Sequence, residues 1–455
     1  MDTRNFELIP ERFPFIIFRH EWFGGFLFNR FLSYTEINPL QARVLELSEG
    51  YFSIKEIKNI ISREFNLSEL EINRHIDNAF DLFDRYYAIN WRRERKRGEI
   101  PPYNPPNMRR EPSFLSAPLY VLWDITYACN LSCKHCLVDA GNQKSNPMSL
   151  RGVFNIVDQL VNMKVLYINF LGGEPFLRQD MLEILNYVSR YPIGMSVTTN
   201  GILVNDNLIK QLENINLFDV QVSLDGLEKT HDKFRNMEGA FQKATNSIKL
   251  FSNAGFRTTI NTVMTRMNSN ELESMVELAI SLGAYTFKAV SFLPVGRGKL
   301  NRENLLLTPE LLMENVTMLQ GLQKKHKGVI NILTEKNYPL LIGDKYESAP
   351  ATSFPSMGCA AGTSQLVIDP NGRIYACPFL HDFLAGDLQH QSLGEIWKNS
   401  AVLNMFRNID KEKLKGKCHN CHYLLNQCHG GCRASAYALT GDLWSEDPLC
   451  WHLKH

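Results

Sequence analysis

Tyr127–Cys136 reads YACNLSCKHC. It follows directly on the apolar run LYVLWDIT, residues 119–126, so a thiol-bearing loop leaves the end of a strand. Cys129, Cys133 and Cys136 stand at the spacing CxxxCxxC. A structural zinc site takes four ligands. His135 could complete the set, but it adjoins Cys136, and neighbouring residues rarely both reach one ion. Three thiolates with one position open suit a 4Fe–4S cluster whose fourth iron binds a ligand from outside the protein.

Outward from this loop, strand-like and helical runs alternate. The strand-like runs are LYVLWDIT, VLYINFL, GMSVTTN, FDVQVSLD, FRTTINTVM and YTFKAVSFL. Helical patterns such as LRGVFNIVDQLVNM and ELESMVELAISLG lie between them. The fold expected is α/β, with a parallel sheet over residues 118–310, open or curled into a partial TIM-like (β/α)6 barrel. In such barrels the site lies at the C-terminal ends of the strands. Those ends carry Gly172, Gly173 and Glu174 in LGGEP, then Thr199 and Asn200 in TTNG, and Ser223 and Asp225 in VSLDG. Arg235 in HDKFR, Asn261 in TTINTV and Arg297 in PVGRG follow. Each alone has a plainer reading. Two glycines make a turn, Ser223 and Asp225 shape one, and Arg235 forms a surface ion pair.

The chain has 455 residues, which suggests two to four units. It is 44% hydrophobic and 21% charged, with net charge +1, so bulk nucleic-acid binding has no support. No apolar run reaches the roughly 18 residues of a membrane span. The start, MDTRNFELIPERFPF, has no basic segment followed by an apolar one, so no secretory signal is expected. A cytoplasmic setting, where thiols stay reduced, follows as the expectation. There the ten cysteines need a reason other than disulfides, and clustered thiols read as metal or cluster ligands. Seven lie in the tail, residues 356–455: Cys359, Cys377, Cys418, Cys421, Cys428, Cys432 and Cys450. CxxC beside CxxxC also suits zinc-ribbon sites. The tail shows little long-range periodicity, and residues 311–355 form a mixed bridging region.

Residues 1–92 read as a separate small domain. RFPFIIFRHEWFGGFLFNRFLSY places aromatic and β-branched runs around Gly24 and Gly25, which suits a β-hairpin. Asn38 with Pro39, Ser53 with Glu56 and Ser68 with Glu71 mark three helix starts. Hairpin plus three helices is winged-helix-like. The Pro- and Arg-rich stretch 93–117 reads as a linker, and its positive run as a solvated segment.

CxxxCxxC after a first strand, with LGGEP one βα unit later, resembles the radical S-adenosylmethionine (SAM) superfamily. The tail resembles the seven-cysteine SPASM domain, although HYLLNQ puts six residues between Cys421 and Cys428 where the family more often has five. The resemblance implies a SAM-binding 4Fe–4S cluster on Cys129, Cys133 and Cys136, and SAM contacts among the strand-end residues. Ser223 and Arg235 would hold its ribose and carboxylate. It also implies two auxiliary iron–sulfur clusters, one on Cys359, Cys377 and Cys432, the other on Cys418, Cys421, Cys428 and Cys450. The first set has only three thiolates. It implies that a 5′-deoxyadenosyl radical takes hydrogen from a substrate, and that a reductant such as ferredoxin or flavodoxin feeds the cluster. SPASM sulfatase maturases carry an acid after the cysteine aligned with Cys377. Pro378 stands there in this chain, so that role is not expected, and nothing in the sequence shows His381 or Asp382 taking it over. NPLQARVLELSEGYFSIKEIKNIISREF resembles the peptide-chaperone domain of pyrroloquinoline quinone biosynthesis, a RiPP recognition element, which takes a leader peptide as an added strand. A peptide-modifying enzyme acting on a precursor with a leader is therefore expected, making a crosslink, an oxidative decarboxylation or an epimerisation. A tetrapyrrole side-chain decarboxylase of the haem-synthase kind would share the tail. A zinc-dependent winged-helix regulator would leave LGGEP and the six βα units without a purpose.

Overall fold

The computed structural model describes residues 7–96, 114–142, 147–334, 359–424, 428 and 430–450. Two compact units divide the chain. The first runs to Ser116 and includes Arg190–Gly194, and the second takes most of the remainder from Ala117.

The first unit contains β1 (Ile9–Arg12), β2 (Ile16–Glu21), β3 (Gly24–Asn29), β4 (Ser33–Ile37), α1 (Pro39–Leu47), α2 (Ile54–Phe65), α3 (Glu69–Arg85) and β5 (Ile89–Arg92). Strands β2, β3 and β4 form an antiparallel sheet, and β1 pairs with β5 in a separate ribbon. The single expected hairpin is thus a three-stranded meander with a ribbon added. β4 was hidden because SYTEI faces solvent at its first two positions, and Pro10 weakens the strand signal of β1. The helix starts fall where the caps place them. Asn38, Ser53 and Ser68 each form a capping box, with Gln41, Glu56 and Glu71. The apolar faces of α2 and α3 close the core through Ile57, Ile61, Ile76, Phe80 and Phe83, all fully buried. Each such side chain contributes about 1.5–3 kcal/mol by leaving water. Most of the expected linker lies outside the described residues.

The second unit is built on β6 (Tyr120–Thr126), α4 (Leu150–Asn162), β7 (Tyr167–Gly172), α5 (Met181–Ser189), β8 (Gly194–Thr199), α6 (Asp206–Leu212) and β9 (Asp219–Ser223). It continues with α7 (Glu228–Arg235), α8 (Ala240–Asn253), β10 (Thr258–Met264), α9 (Leu272–Ser281), β11 (Thr286–Ser291), α10 (Arg302–Leu305), α11 (Pro309–Lys325) and β12 (Asn331–Thr334). The tail adds β13 (Gln365–Ile368), β14 (Arg373–Tyr375), β15 (Leu384–Asp387), α12 (Leu393–Asn399), α13 (Ala401–Arg407) and α14 (Arg433–Thr440).

One sheet of ten strands runs β12-β11-β10-β9-β8-β7-β6-β13-β14-β15. The six expected strands are its parallel centre, and among the described residues its end strands β12 and β15 do not pair, as in a partial barrel. Two further strands join the sheet from outside residues 118–310. β12, from the bridging region, pairs parallel with β11. β13, from the tail, pairs parallel with β6 and starts an antiparallel hairpin with β14 and β15. Strands of three or four residues are too short for a period-2 pattern to stand out. The cysteine-rich tail therefore continues the core sheet. Among the described residues no helix is long and apolar enough to cross a membrane.

Candidate functional site

The loop after β6 carries Cys129, Cys133 and Cys136, and the end of α7 and the segment after β11 fix its path. Lys134 N–H donates to the Phe234 carbonyl at 3.0 Å in α7. Arg297 N–H donates to the Cys136 carbonyl at 3.0 Å. Asn236 Nδ2 reaches Ser132 Oγ at 2.9 Å, and Asn301 Nδ2 reaches the Lys134 carbonyl at 3.0 Å. The three thiols influence one another electrostatically. Burial pushes Cys129 up to about 11, and the charges of Cys133, Glu174 and Cys136 add to the rise. Burial also raises Cys136, with Cys133 adding to it. Cluster binding would displace these protons.

Gly172 and Gly173 let the turn after β7 press on the loop. A Cβ on Gly173 would stand 2.1 Å from the Ala128 carbonyl oxygen, and one on Gly172, at φ +130°, 2.3 Å from that of Thr126. Glu174 is fully buried and accepts from Thr199 Oγ1 at 2.8 Å, Asn200 N–H at 2.8 Å and Phe176 N–H at 3.2 Å. Its carboxyl therefore ties the β7 turn to the end of β8. Burial raises its pKa to about 7 against the pull of these donors. Asn200 Nδ2 donates to Asn130 Oδ1 at 2.7 Å and lies 4.0 Å from Cys129 Sγ.

Ser223 ends β9 and stands in register with Asn261 of β10. Asn261 Oδ1 is buried without a hydrogen-bond partner among the described residues. Arg235 pairs with the buried Asp225 carboxylate, and its Nη1 lies 3.6 Å from Cys133 Sγ. Burial alone would lower the Arg235 pKa, but Asp225 and Cys133 outweigh it and raise it. Arg297, expected at SAM, donates from Nε to Asp139 Oδ1 at 3.0 Å and from Nη2 to the Ala140 carbonyl at 2.6 Å. These bonds clamp the far end of the cysteine loop. His135 stacks on Phe234 at 4.3 Å. Burial, then Arg235 and Arg297, hold its pKa well below the usual imidazole value.

These residues fit a cluster with an exchangeable outside ligand. The three thiols lie within electrostatic reach of one another, and N–H donors point at two sulfurs, with Ala140 N–H at 3.2 Å from Cys136 Sγ and Arg235 Nη1 at Cys133. Such donors tune cluster potential. The glycine turn packs directly on the cysteine loop, and Asn261 offers an unused acceptor. Among the described residues no three His, Cys, Asp or Glu side chains close on a point as a single ion requires. A four-iron cluster needs a wider cage.

Six of the seven tail thiols have another tail thiol among their electrostatic neighbours. None of the ten cysteines is in a disulfide. Cys432 is raised first by burial, then by Asp447, Cys359 and Cys377, which puts it with Cys359 and Cys377. Cys428 is raised by burial and then by Cys421, and Cys418 by burial and then by Cys428 among others. Cys432 is the N-cap of α14 and accepts from Ser435 N–H at 3.4 Å, where the helix dipole favours a thiolate. Cys428 Sγ accepts from Gly431 N–H at 3.1 Å, and Cys359 Sγ from Ala361 N–H at 3.4 Å.

Sequence reasoning passed over Asp124. It is fully buried, and neither carboxyl oxygen has a hydrogen-bond partner among the described residues. Its neighbour Trp123 packs on Phe170 at 5.8 Å, so strand alternation sends Asp124 to the opposite face of the sheet. The signal was present as one acid inside the apolar run LYVLWDIT. Burial, then Asp369, raises its pKa from 3.8 to about 8. The unfolded chain ionises here near pH 4 and the folded chain only near pH 8. Stability from the neutral acid is therefore complete below about pH 4 and lost as pH rises to about 8. Asp124→Asn removes this dependence. It is expected to be more stable than wild type by about 1–3 kcal/mol at pH 8, with the gain shrinking toward pH 4, as read by thermal melts across that range.

Residues 123–279 match the radical SAM superfamily model, and residues 359–422 match SPASM, an iron–sulfur cluster-binding domain. The mycofactocin maturase MftC of Mycolicibacterium smegmatis is 33% identical over 346 residues, 74% of this chain and 83% of that protein. The AdoMet-dependent heme synthase of Methanosarcina barkeri is 30% identical over 345 residues, 74% of this chain and 97% of that one. SuiB of Streptococcus suis, solved bound to precursor peptide SuiA, superposes with a TM-score of 0.73 at 20% identity, covering 97% of this chain and 100% of that one. The likeness to SuiB is one of fold, and its coverage extends through the first unit.

Proposed function

The chain belongs to the radical SAM superfamily and carries a SPASM iron–sulfur domain, and from that premise we propose that it modifies a ribosomally made peptide recognised by its N-terminal unit. Cys129, Cys133 and Cys136 would hold the SAM-binding 4Fe–4S cluster. Cluster and SAM, when bound, supply a 5′-deoxyadenosyl radical that takes a hydrogen atom from the substrate. This chain's own residues position and shield. Gly172 and Gly173 bring the turn close, Glu174 holds Thr199 and Asn200 in place, and Ser223 and Asn261 would contact SAM. Arg235 holds Asp225 beside Cys133, and Arg297 braces the loop. The seven tail cysteines would hold two auxiliary clusters. A small reductant such as ferredoxin or flavodoxin, in the cytoplasm, would deliver the electron.

One observation carries the peptide reading. β4 is an edge strand, paired only with β3 among the described residues. Beside it opens a cleft of about 650 Å³ lined by Thr35, Glu36, Asn78, Asp81, Leu82 and Arg85, between β4 and α3. An extended leader can add to that edge through main-chain bonds while its side chains enter the cleft. MftC is named a maturase and SuiB was solved with a precursor peptide, which supports the same reading. The likeness to heme synthase favours a second reading, decarboxylation of a tetrapyrrole side chain. That reading leaves the cleft without a task.

The test is to incubate the reduced holoenzyme and SAM with the peptide encoded by a small reading frame beside this gene, and separately with iron coproporphyrin. A changed peptide mass with untouched porphyrin is expected, and the reverse would favour the second reading. Asn78 is exposed on α3, so Asn78→Trp fills the cleft without entering the core. It should weaken binding of that peptide by about 10-fold or more in fluorescence anisotropy, with peptide-independent SAM cleavage unchanged.

A further inference from the structure

The run GGEPFLRQD, residues 172–180, carries one more buried side chain than the site described above uses. We propose that Arg178 is a positioning residue that sets the separation between the SAM-binding thiols and the first auxiliary set, Cys359, Cys377 and Cys432. This rests on the reading of the tail cysteines as cluster ligands.

Arg178 follows the short 3-10 turn Pro175–Leu177, which starts at Glu174. Its side chain is 7% exposed. Nε donates to Asp180 Oδ1 at 2.6 Å and Nη2 to Asp180 Oδ2 at 3.1 Å, a bidentate grip that fixes the plane of the guanidinium. Two carbonyls take its other bonds, Ile125 from Nη1 at 3.0 Å and Met148 from Nη2 at 2.8 Å. Ile125 lies in β6, on the way into the cysteine loop. Met148 stands just before Ser149, the N-cap of α4, on the way out. One guanidinium thus ties both ends of the segment that carries Cys129, Cys133 and Cys136. Met148 also bonds to the tail. Its N–H donates to the Pro370 carbonyl at 2.9 Å, in the turn between β13 and β14. Asp369 Oδ1 stiffens that turn by accepting from Asn371 N–H at 2.8 Å and Arg373 N–H at 2.9 Å. Gly372, at φ +86°, lets Met148 approach, since an added Cβ would stand 2.9 Å from its sulfur. β14 ends at Tyr375, and Cys377 follows.

The pairing of β6 with β13 ends at Trp123 and Ile368, below both thiol-bearing segments. Past that level the bonds run from Ile125 and Met148 to Arg178, and from Met148 to the turn that leads to Cys377. Arginine suits this post because its planar fork meets a carboxylate and two carbonyls at once, whereas a lysine ammonium is a single point. An electron leaving a substrate radical formed at the first site crosses this gap to the cluster at the second, oxidising the one and reducing the other. Its rate depends steeply on the separation, and a misplacement of about 1 Å can cost on the order of 10²-fold.

The test uses the anaerobically reconstituted full chain, reduced with dithionite. Wild type should hold about twelve irons, in three clusters. In pulsed EPR its SAM-site cluster should relax faster through magnetic coupling to the first auxiliary cluster. Arg178→Lys should keep that iron content, and the coupling should weaken. With a peptide substrate, the yield of modified peptide per 5′-deoxyadenosine should fall by about 10-fold or more. Met148→Pro removes the one N–H that reaches Pro370 and leaves the carbonyl to Arg178, and it should weaken the coupling in the same way. Should the Lys variant lose a cluster, Met148→Pro decides alone. Arg151→Lys, exposed on α4, is the control and should change nothing. Unchanged coupling in either variant that keeps its clusters would overturn the role. Wild type holding only about four irons would overturn the ligand assignment beneath it. Wild type with coupled clusters and no modified peptide would overturn the peptide reading alone.

Discussion

Cys133→Ala is expected to hold about eight irons where wild type holds about twelve, and to make no detectable 5′-deoxyadenosine, a loss on the order of 10³-fold or more. Cys133 is the buried member of its trio. Arg235 Nη1 faces its sulfur at 3.6 Å, and Arg235 is paired with Asp225. Removing the thiol leaves two ligands for the SAM-binding cluster and a buried guanidinium facing a methyl group. The tail sites are untouched, so the missing irons report one site. Iron and sulfide analysis with chromatography of the nucleoside checks both halves. Full iron with unaltered SAM cleavage would remove Cys133 from the site.

The second large effect is at Gly173. The Cβ of Gly173→Ala would overlap the Ala128 carbonyl oxygen, 2.1 Å away, and the next contacts are also backbone. Backbone cannot swing aside as a flexible side chain can. Either the turn after β7 or the cysteine loop must move, and Glu174 N–H, which donates to the same Ala128 carbonyl at 2.8 Å, moves with it. The variant is expected to lose about 1–3 kcal/mol of stability and on the order of 10²-fold or more in SAM cleavage, since small misplacements cost that much. Gly394, whose nearest neighbour to an added Cβ is the flexible Met163 sulfur at 4.0 Å, is the control, and Gly394→Ala should change neither. Thermal melts and SAM-cleavage rates measure the two effects.

The central sheet was legible because its six strands are apolar runs of useful length bounded by helices, and their order along the chain is their order in the sheet. The helix starts of the first unit were legible because capping boxes are local chemistry. What stayed hidden was short or long-range. β12 and β13 have four residues each and acquire meaning only from β11 and β6 beside them. At the site, the thiols were readable from spacing alone. The partners of the polar residues were not. Arg297 looked free to meet a ligand, yet Asp139, 158 positions away, takes its Nε. Glu174 looked like an open acceptor, yet Thr199 and Asn200 use it. Residue type shows what bonds a side chain can make, and only the folded chain shows which ones it has made.

The measurement closest to the heart of the proposal follows one hydrogen atom. Reduced holoenzyme is given SAM and a precursor peptide whose core residues are deuterated at carbon, and 5′-deoxyadenosine is analysed by mass spectrometry. One deuterium in the nucleoside, with a matching change in peptide mass, is the expected result. Unlabelled nucleoside and an unchanged peptide, with deuterium arriving instead from a tetrapyrrole labelled on its propionate side chains, would contradict it.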